Sequence, residues 1–487
     1  MMAAARRTEQ GWRQAVEDEL DSSFRVYEKI ETKEEARKLL SQVVFDPWMT
    51  ILVIDRQLVV DRRLLTSIKG LHHVEFVKSV LERSPEFPNV AYLFEGNADG
   101  IRSEDQLVRD GCPEPLKMPM TRVKESTKRK KALLKKKPIP RVVIAKRYGY
   151  DQCGIMVPNC YFDDLAKWDQ IAKRILKVVA ATTRRTQKVF WRGSVRAQPD
   201  CQDEGGNYAR MQALSLTLDY PDLFDVKCLD CKPRRNMDDC HFSEEDEKND
   251  ATTRRVFREP QSVAGSHVSK EAFATYAYQL NLPGSVSGSY SRNLNHLWLL
   301  GAVVLCWQGD FVEFYYPALD HGQTHLTLNK SSAYDLVRSL QEDPDRVQRL
   351  AAAARKVYDI LLCPHCLATY FLSVIHKLRS HFSLNLILDD PTELRHLLRS
   401  NLNVSRLDLL TINFKTNDQL YSRFSIITNQ AQLMALVPTN ASGPTTTTTT
   451  KEEAKHSTKK EKKEARGIGR RREKKQRQQR QQPNNRR

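Results

Sequence analysis

Apolar and polar positions alternate along this chain in two rhythms. Residues 13–42 are mostly polar, with Ala36, Leu39 and Leu40 recurring beside Glu34 and Glu35, which predicts one or two helices. Short β-branched and apolar runs then predict strands at 50–54 and 57–60. Val74, Phe76, Val77, Val80 and Leu81 fall on one face of a helix over 73–84. The same alternation continues with strands at 90–94 and 141–145, a helix over 162–179 and a strand at 188–191. Beyond it come a strand near 224–227, a helix over 269–277, a helix after Tyr290 carrying Leu294, Leu297 and Leu300, a strand at 302–307, and helices at 332–340 and 344–361. Strands interleaved with helices imply open α/β layers, and no fixed-period repeat interrupts them.

At 487 residues the chain is long enough for two or three domains and a large core. Its net charge of +18 suggests a nucleic-acid binder until the charge is located. Residues 124–147 contribute +10 and residues 451–487 contribute +11, so the rest of the chain carries −3. The body is therefore no basic platform, and no stable nucleic-acid partner is expected. The tail, with six threonines followed by Lys, Arg, Gln and Glu, has almost nothing apolar to bury and reads as disordered. The organisation expected is a helical extension over 1–45, α/β halves over 46–180 and 181–385, a C-terminal extension over 386–440 and a basic tail over 441–487. No run of eighteen apolar residues spans a bilayer, and the first ten residues lack the apolar core of a secretory signal.

Ten cysteines include two C-x-x-C pairs, Cys228/Cys231 and Cys363/Cys366, with Cys240-His241 after the first. Zinc would require the two pairs to meet, or Cys240 and His241 to complete one set. Disulfides would suit an oxidising lumen and reduced cysteines a cytoplasmic location, and spacing alone leaves the pairing open.

Several short motifs sit where such a fold places its chemistry, just after predicted strands or at helix starts. Val90 to Phe94 leads into Glu95 and the loop Gly96-Asn97-Ala98-Asp99-Gly100. Ile155-Met156-Val157-Pro158-Asn159 follows another strand, and Trp191-Arg192-Gly193-Ser194 ends a third. A Ser/Gly-rich turn through Ser289 opens Tyr290-Ser291-Arg292, and Glu313-Phe314-Tyr315-Tyr316-Pro317 closes the series. A helix N-terminus beside a cationic side chain is a physical anion site. Taken in order over roughly residues 50–375, these segments resemble the CAP10-type glycosyltransferase family, which includes protein O-glucosyltransferases and capsule xylosyltransferases.

The resemblance implies a GT-B-like fold, two Rossmann-like α/β halves facing a cleft, and an inverting transfer of glucose or xylose from UDP-glucose or UDP-xylose to a protein or glycan hydroxyl. It implies no metal or other cofactor, a monomer, and the lumen of the endoplasmic reticulum or Golgi. On the donor side it points to Arg192, Gly193, Ser194, Ser289, Tyr290, Arg292 and Glu313. On the acceptor side it points to Met156, Pro158 and Asn159. Glycosyl transfer needs a base for the acceptor proton, and Asp99 and Glu95 are both chemically competent. Departing diphosphate needs cations or backbone N–H groups, which Arg192 and Arg292 could supply with Ser194 and Ser289. The insertion at 201–250 marks a divergent member. A second reading, an inactive glycosyltransferase-like protein that binds anions or nucleic acid through its basic segments, stays open on the sequence.

Overall fold

The computed structural model describes residues 8–45, 50–61, 64, 67–95, 112, 139–148, 151–162, 164–195, 206–231, 251–284, 293–309, 311–401, 407–412 and 424–427. The loop carrying Asp99, the basic segment 124–137, the turn carrying Ser289, Tyr290 and Arg292, and the tail at 441–487 lie outside them. All described residues belong to one unit, Met1–Pro438.

The chain opens with α1 (Glu9–Phe24) and α2 (Lys33–Phe45). The hydroxyl of Thr8 accepts from the Gly11 amide at 3.0 Å and starts α1, while Trp12, Val16, Leu20 and Phe24, four residues apart, form its buried stripe. A seven-stranded mixed sheet follows, in the order β14-β13-β2-β1-β3-β4-β6. Its strands are β1 (Thr50–Ile54), β2 (Gln57–Asp61), β3 (Val90–Phe94), β4 (Arg141–Val143), β6 (Gly154–Met156), β13 (Leu407–Ile412) and β14 (Phe424–Ile427). β3, β4 and β6 run parallel, and the others pair antiparallel. Two residues with positive φ, Asp55 (47°) and Arg56 (63°), turn the β1–β2 hairpin. Neither is glycine, and the turn is held from outside: Asn89 accepts from the Asp55 amide at 2.8 Å, and the Arg56 guanidinium donates to the Leu81 and Ser84 carbonyls.

The second sheet is five-stranded and wholly parallel, in the order β12-β10-β9-β7-β8. It comprises β7 (Thr186–Val195), β8 (Phe224–Cys231), β9 (Tyr276–Asn281), β10 (Val303–Trp307) and β12 (Leu326–Leu328). α3 (Ile68–Arg83) lies between β2 and β3, α4 (Leu165–Ala181) lies between β6 and β7, and the second sheet adds α5 (Gly206–Asp219), α6 (Ala251–Arg258), α7 (Leu294–Leu297), α8 (Lys330–Glu342) and α9 (Pro344–Val357). A two-stranded antiparallel ribbon pairs β5 (Lys146–Arg147), which follows β4, with β11 (Phe311–Val312), which follows β10.

One expected helix is overturned. Residues 269–277 hold a short 3-10 turn, Glu271–Thr275, and then enter β9 at Tyr276. The run Tyr276-Ala277-Tyr278-Gln279-Leu280 has strand-forming aromatics and becomes the middle strand of the parallel sheet, buried on both faces, so it shows no amphipathic rhythm. Helices α5, α6, α11 (Asn385–Leu388) and α12 (Pro391–Asn401) were not foreseen, whereas α10 (Pro364–His381) holds Cys366-Leu-Ala-Thr-Tyr370-Phe371, the aromatic-rich helix that the resemblance implies near its end.

The two ends of the described chain are joined. Lys33 and Arg37 of α2 reach Glu393 at 3.1 and 2.7 Å, and Lys33 also meets Asp390 at 2.9 Å. The Ile30 amide donates to the His381 carbonyl at 2.9 Å, and β13 pairs with β2. No single described helix is long and apolar enough to cross a membrane; Pro344–Leu362 and Pro364–His381 reach that length together but meet at a 50° bend. The bend falls where a π turn, Tyr358–Leu362, meets Pro364, whose ring cannot donate to the preceding turn.

Candidate functional site

Parallel α/β sheets bind ligands at the carboxyl ends of their strands, and a cavity of about 730 Å³ opens there in the second sheet. Asn281 ends β9, Cys306 and Trp307 end β10, and Thr327 of β12 completes this wall. Opposite it stand α1, through Gln14, Asp18 and Glu19, and Met156 of β6. Phe311, Val312, Tyr316 and Pro317 close the rim. Glu19 is tied to the ribbon by an ion pair with Lys146 at 2.7 Å, which fixes α1 over the opening.

Behind that rim lies a buried polar knot. Asn159 donates from Nδ2 to Glu313 Oε2 at 2.6 Å and to Asn295 Oδ1 at 2.9 Å; Asn295 returns a bond from Nδ2 to Asn159 Oδ1 at 3.0 Å. The Tyr161 amide also donates to Asn159 Oδ1, at 3.0 Å, which sets the amide's orientation. Glu313 is wholly buried, and its Oε1 has no hydrogen-bond partner. Burial raises its pKa to about 8, against the lowering effect of the Asn159 bond, so the group is largely protonated at pH 7. A protonated carboxyl can donate as well as accept.

The remaining expected residues divide into three groups. Glu95, at the end of β3, is buried, with Oε2 at 3.6 Å from Arg141 Nη1; this places it in the wall rather than at an open surface. Arg192 is also buried and committed to Asp225: Nη2 meets both carboxylate oxygens, at 3.0 and 2.9 Å, and Nη1 meets the Asp225 carbonyl at 2.6 Å. Tyr276 donates to the same carboxylate at 2.8 Å, and Lys227 lies 3.4 Å away. The carboxyl pKa of Asp225 is lowered: burial would raise it, and the Arg192 and Tyr276 bonds outweigh that. Gly193 is needed for packing, because a Cβ there would stand 2.4 Å from Trp191 Cζ2. The Ser194 carbonyl accepts from Arg210, which also donates from Nε to the Pro283 carbonyl at 2.8 Å and so ties the end of β7 to the cavity wall. Asn293 donates to the Arg192 carbonyl at 3.1 Å.

Met156 lines the cavity, and its carbonyl accepts from Tyr370 at 2.9 Å; Pro158 is buried beside Asn159. Asp99, Ser289, Tyr290 and Arg292 lie outside the described residues. Asn281, Trp307, His325 and the α1 residues were not anticipated. The signal for Asn281 was a polar residue ending an aromatic-rich run, lost when that run was read as helix. Disulfides join Cys112 to Cys153 and Cys363 to Cys366, while Cys160 and Cys306 take no part in a disulfide. Among the described residues no group of three or more His, Cys, Asp or Glu side chains could hold a metal ion.

No protein-family model matches the sequence, and no curated protein matches it. Among solved structures, that of Anabaena HepE in complex with UDP-glucose is similar at 14% identity and a TM-score of 0.25, over 41% of this chain. The match covers 53% of that protein, about half its length. A superposition that loose says nothing about the site.

Proposed function

We propose that this chain is an inverting glycosyltransferase of GT-B type that moves glucose or xylose from a UDP-sugar to a hydroxyl of a protein or glycan. One observation carries the reading. The Met156–Asn159 and Glu313–Pro317 segments, both motifs of the resemblance, meet through the 2.6 Å Asn159–Glu313 bond, and Met156, Tyr316 and Pro317 line one cavity at the ends of parallel strands.

In this reading a carboxylate takes the acceptor hydroxyl's proton as its oxygen attacks the anomeric carbon from the face opposite UDP. The bond to the diphosphate breaks, its electron pair leaves with UDP, and the configuration inverts. The burial of Glu95 against Arg141 supports an anchoring role for Glu95 and leaves Asp99 as the base. Because Arg192 is spent on Asp225, the developing diphosphate charge falls to Arg292 and the amides near it. That arrangement needs no metal ion. The disulfides Cys112–Cys153 and Cys363–Cys366 suit an oxidising compartment and support a location in the endoplasmic reticulum or Golgi lumen.

The deciding experiment is UDP-sugar hydrolysis across a donor panel, which requires no acceptor. Release of UDP from UDP-glucose or UDP-xylose is the expected result. If no nucleotide sugar is hydrolysed or bound, the enzyme reading fails, and the chain is a glycosyltransferase-like binding protein.

A further inference from the structure

The cavity's chemistry is unusual for a place beside a nucleotide. Among the described residues no lysine or arginine lines it, while Asp18 and Glu19 do. Glu19 is neutralised by Lys146, so Asp18 is left to set the sign of the wall. Burial, with a smaller effect from His321, lowers the pKa of His325 to about 4, so His325 brings no positive charge at neutral pH. A diphosphate placed here would meet a carboxylate and, among the described residues, no compensating cation, which costs heavily in a partly dry site. What the wall offers instead is flat aromatic surface from Trp307, Phe311 and Tyr316, with polar groups set between. Asn281 is only 8% exposed and its Oδ1 has no hydrogen-bond partner, so a buried acceptor faces the cavity unsatisfied. Gln308 adds an amide.

We propose that this cavity is a carbohydrate subsite that takes an uncharged, polyhydroxylated sugar ring. Aromatic side chains would pack against its C–H face, and its hydroxyls would donate to Asn281 Oδ1 and Asp18. The diphosphate then lies elsewhere. The inference deepens the glycosyl-transfer reading and rests on it for the role of the ligand. The ring can belong to an acceptor glycan or to the donor's own sugar, and the two sources separate by competition.

The test is calorimetric titration of the full chain with three neutral oligosaccharides (maltotriose, cellotriose and xylotriose) and, separately, with UDP and UDP-glucose. At least one oligosaccharide should bind. Phe311→Ala should weaken it about tenfold and Asp18→Asn by a smaller factor, both with UDP binding unchanged. Asp18 is exposed and its replacement tests the wall without risk to the core. Oligosaccharide binding that survives saturating UDP-glucose identifies an acceptor subsite; binding that survives UDP but is displaced by UDP-glucose identifies the pocket for the donor's sugar. If UDP binds and no oligosaccharide or UDP-linked sugar gains affinity from Phe311 or Asp18, the subsite is overturned while the enzyme reading stands. If an oligosaccharide binds with this mutational pattern and neither UDP nor UDP-glucose binds, the subsite stands and the enzyme reading fails.

Discussion

Asn159 and Glu313 stand 154 positions apart in sequence and 2.6 Å apart in space, and each depends on the other for its state. Asn159 gives the Glu313 carboxyl its one hydrogen bond among the described residues, and Glu313 gives the loop after β11 its inward anchor. Removing the amide leaves a buried carboxyl with neither oxygen partnered. Asn159→Ala should therefore destabilise the protein by about 1–3 kcal/mol, seen as a lower denaturation midpoint with an unchanged denaturant slope. A midpoint equal to wild type would mean that the knot contributes nothing to stability.

Glu313 also makes stability depend on pH. Its folded pKa, about 8, lies above the ordinary carboxyl value, so the folded state holds a proton that the unfolded state releases. The stabilisation is complete below the unfolded pKa, near 4.5, and is lost as pH rises toward 8. Wild type should thus lose stability relative to Glu313→Gln between those values, by an amount on the order of a few kcal/mol. Urea melts of both proteins at pH 5, 7 and 9 read this difference directly. Parallel curves would show that Glu313 titrates normally.

Donor binding should register without metal. UDP or a UDP-sugar should raise the melting temperature in the presence of a chelator, and Arg292→Ala should abolish the shift, because a diphosphate that loses its cation forfeits about 2–5 kcal/mol. Arg192→Ala should instead lower the melting temperature of the unliganded protein, since it removes the guanidinium that meets both carboxylate oxygens of Asp225. The two arginines are separated by which melt moves.

Asp99→Asn should cut transfer by about 10²–10⁴-fold with donor affinity nearly unchanged. Glu95→Gln should lower the melting temperature through its contact with Arg141 and cost less activity per folded molecule. Normal transfer by Asp99→Asn alongside a dead but fully folded Glu95→Gln would move the base to Glu95.

The strands were the legible part of this fold. Runs such as Thr50–Ile54 and Val90–Phe94 are short, apolar and bounded by polar residues, and they form where the sequence places them. Tyr276–Asn281 was hidden for a physical reason: a strand buried on both faces loses its period of two, and its burial depends on neighbours far away in sequence. At the site, the sequence pointed to Met156, Asn159 and Glu313 but not to their meeting, because nothing local to Asn159 encodes a partner 154 residues distant. It pointed to Arg192 as a cation for the diphosphate; only the register of β7 against β8, which sets Phe190 beside Asp225, brings that carboxylate within reach. Gln14, Asp18 and Glu19 read as a solvated helical face until α1 is seen packed across the strand ends.

The clasp between Lys33 and Arg37 near one end and Asp390 and Glu393 near the other sets a schedule for biosynthesis. A ribosome delivers α1, one wall of the cavity, among the first residues, yet the contacts that seat the following helix emerge more than three hundred residues later. The parallel five-stranded sheet, whose strands all come from the intervening stretch, is free to consolidate first. Helix α2 can pack on β1 and β3 early, but the part of its surface that meets α11 and α12 stays open until those last helices arrive. Synthesis halted before residue 390 should accordingly leave a nascent chain with a folded middle and an α2 that lacks its clasp.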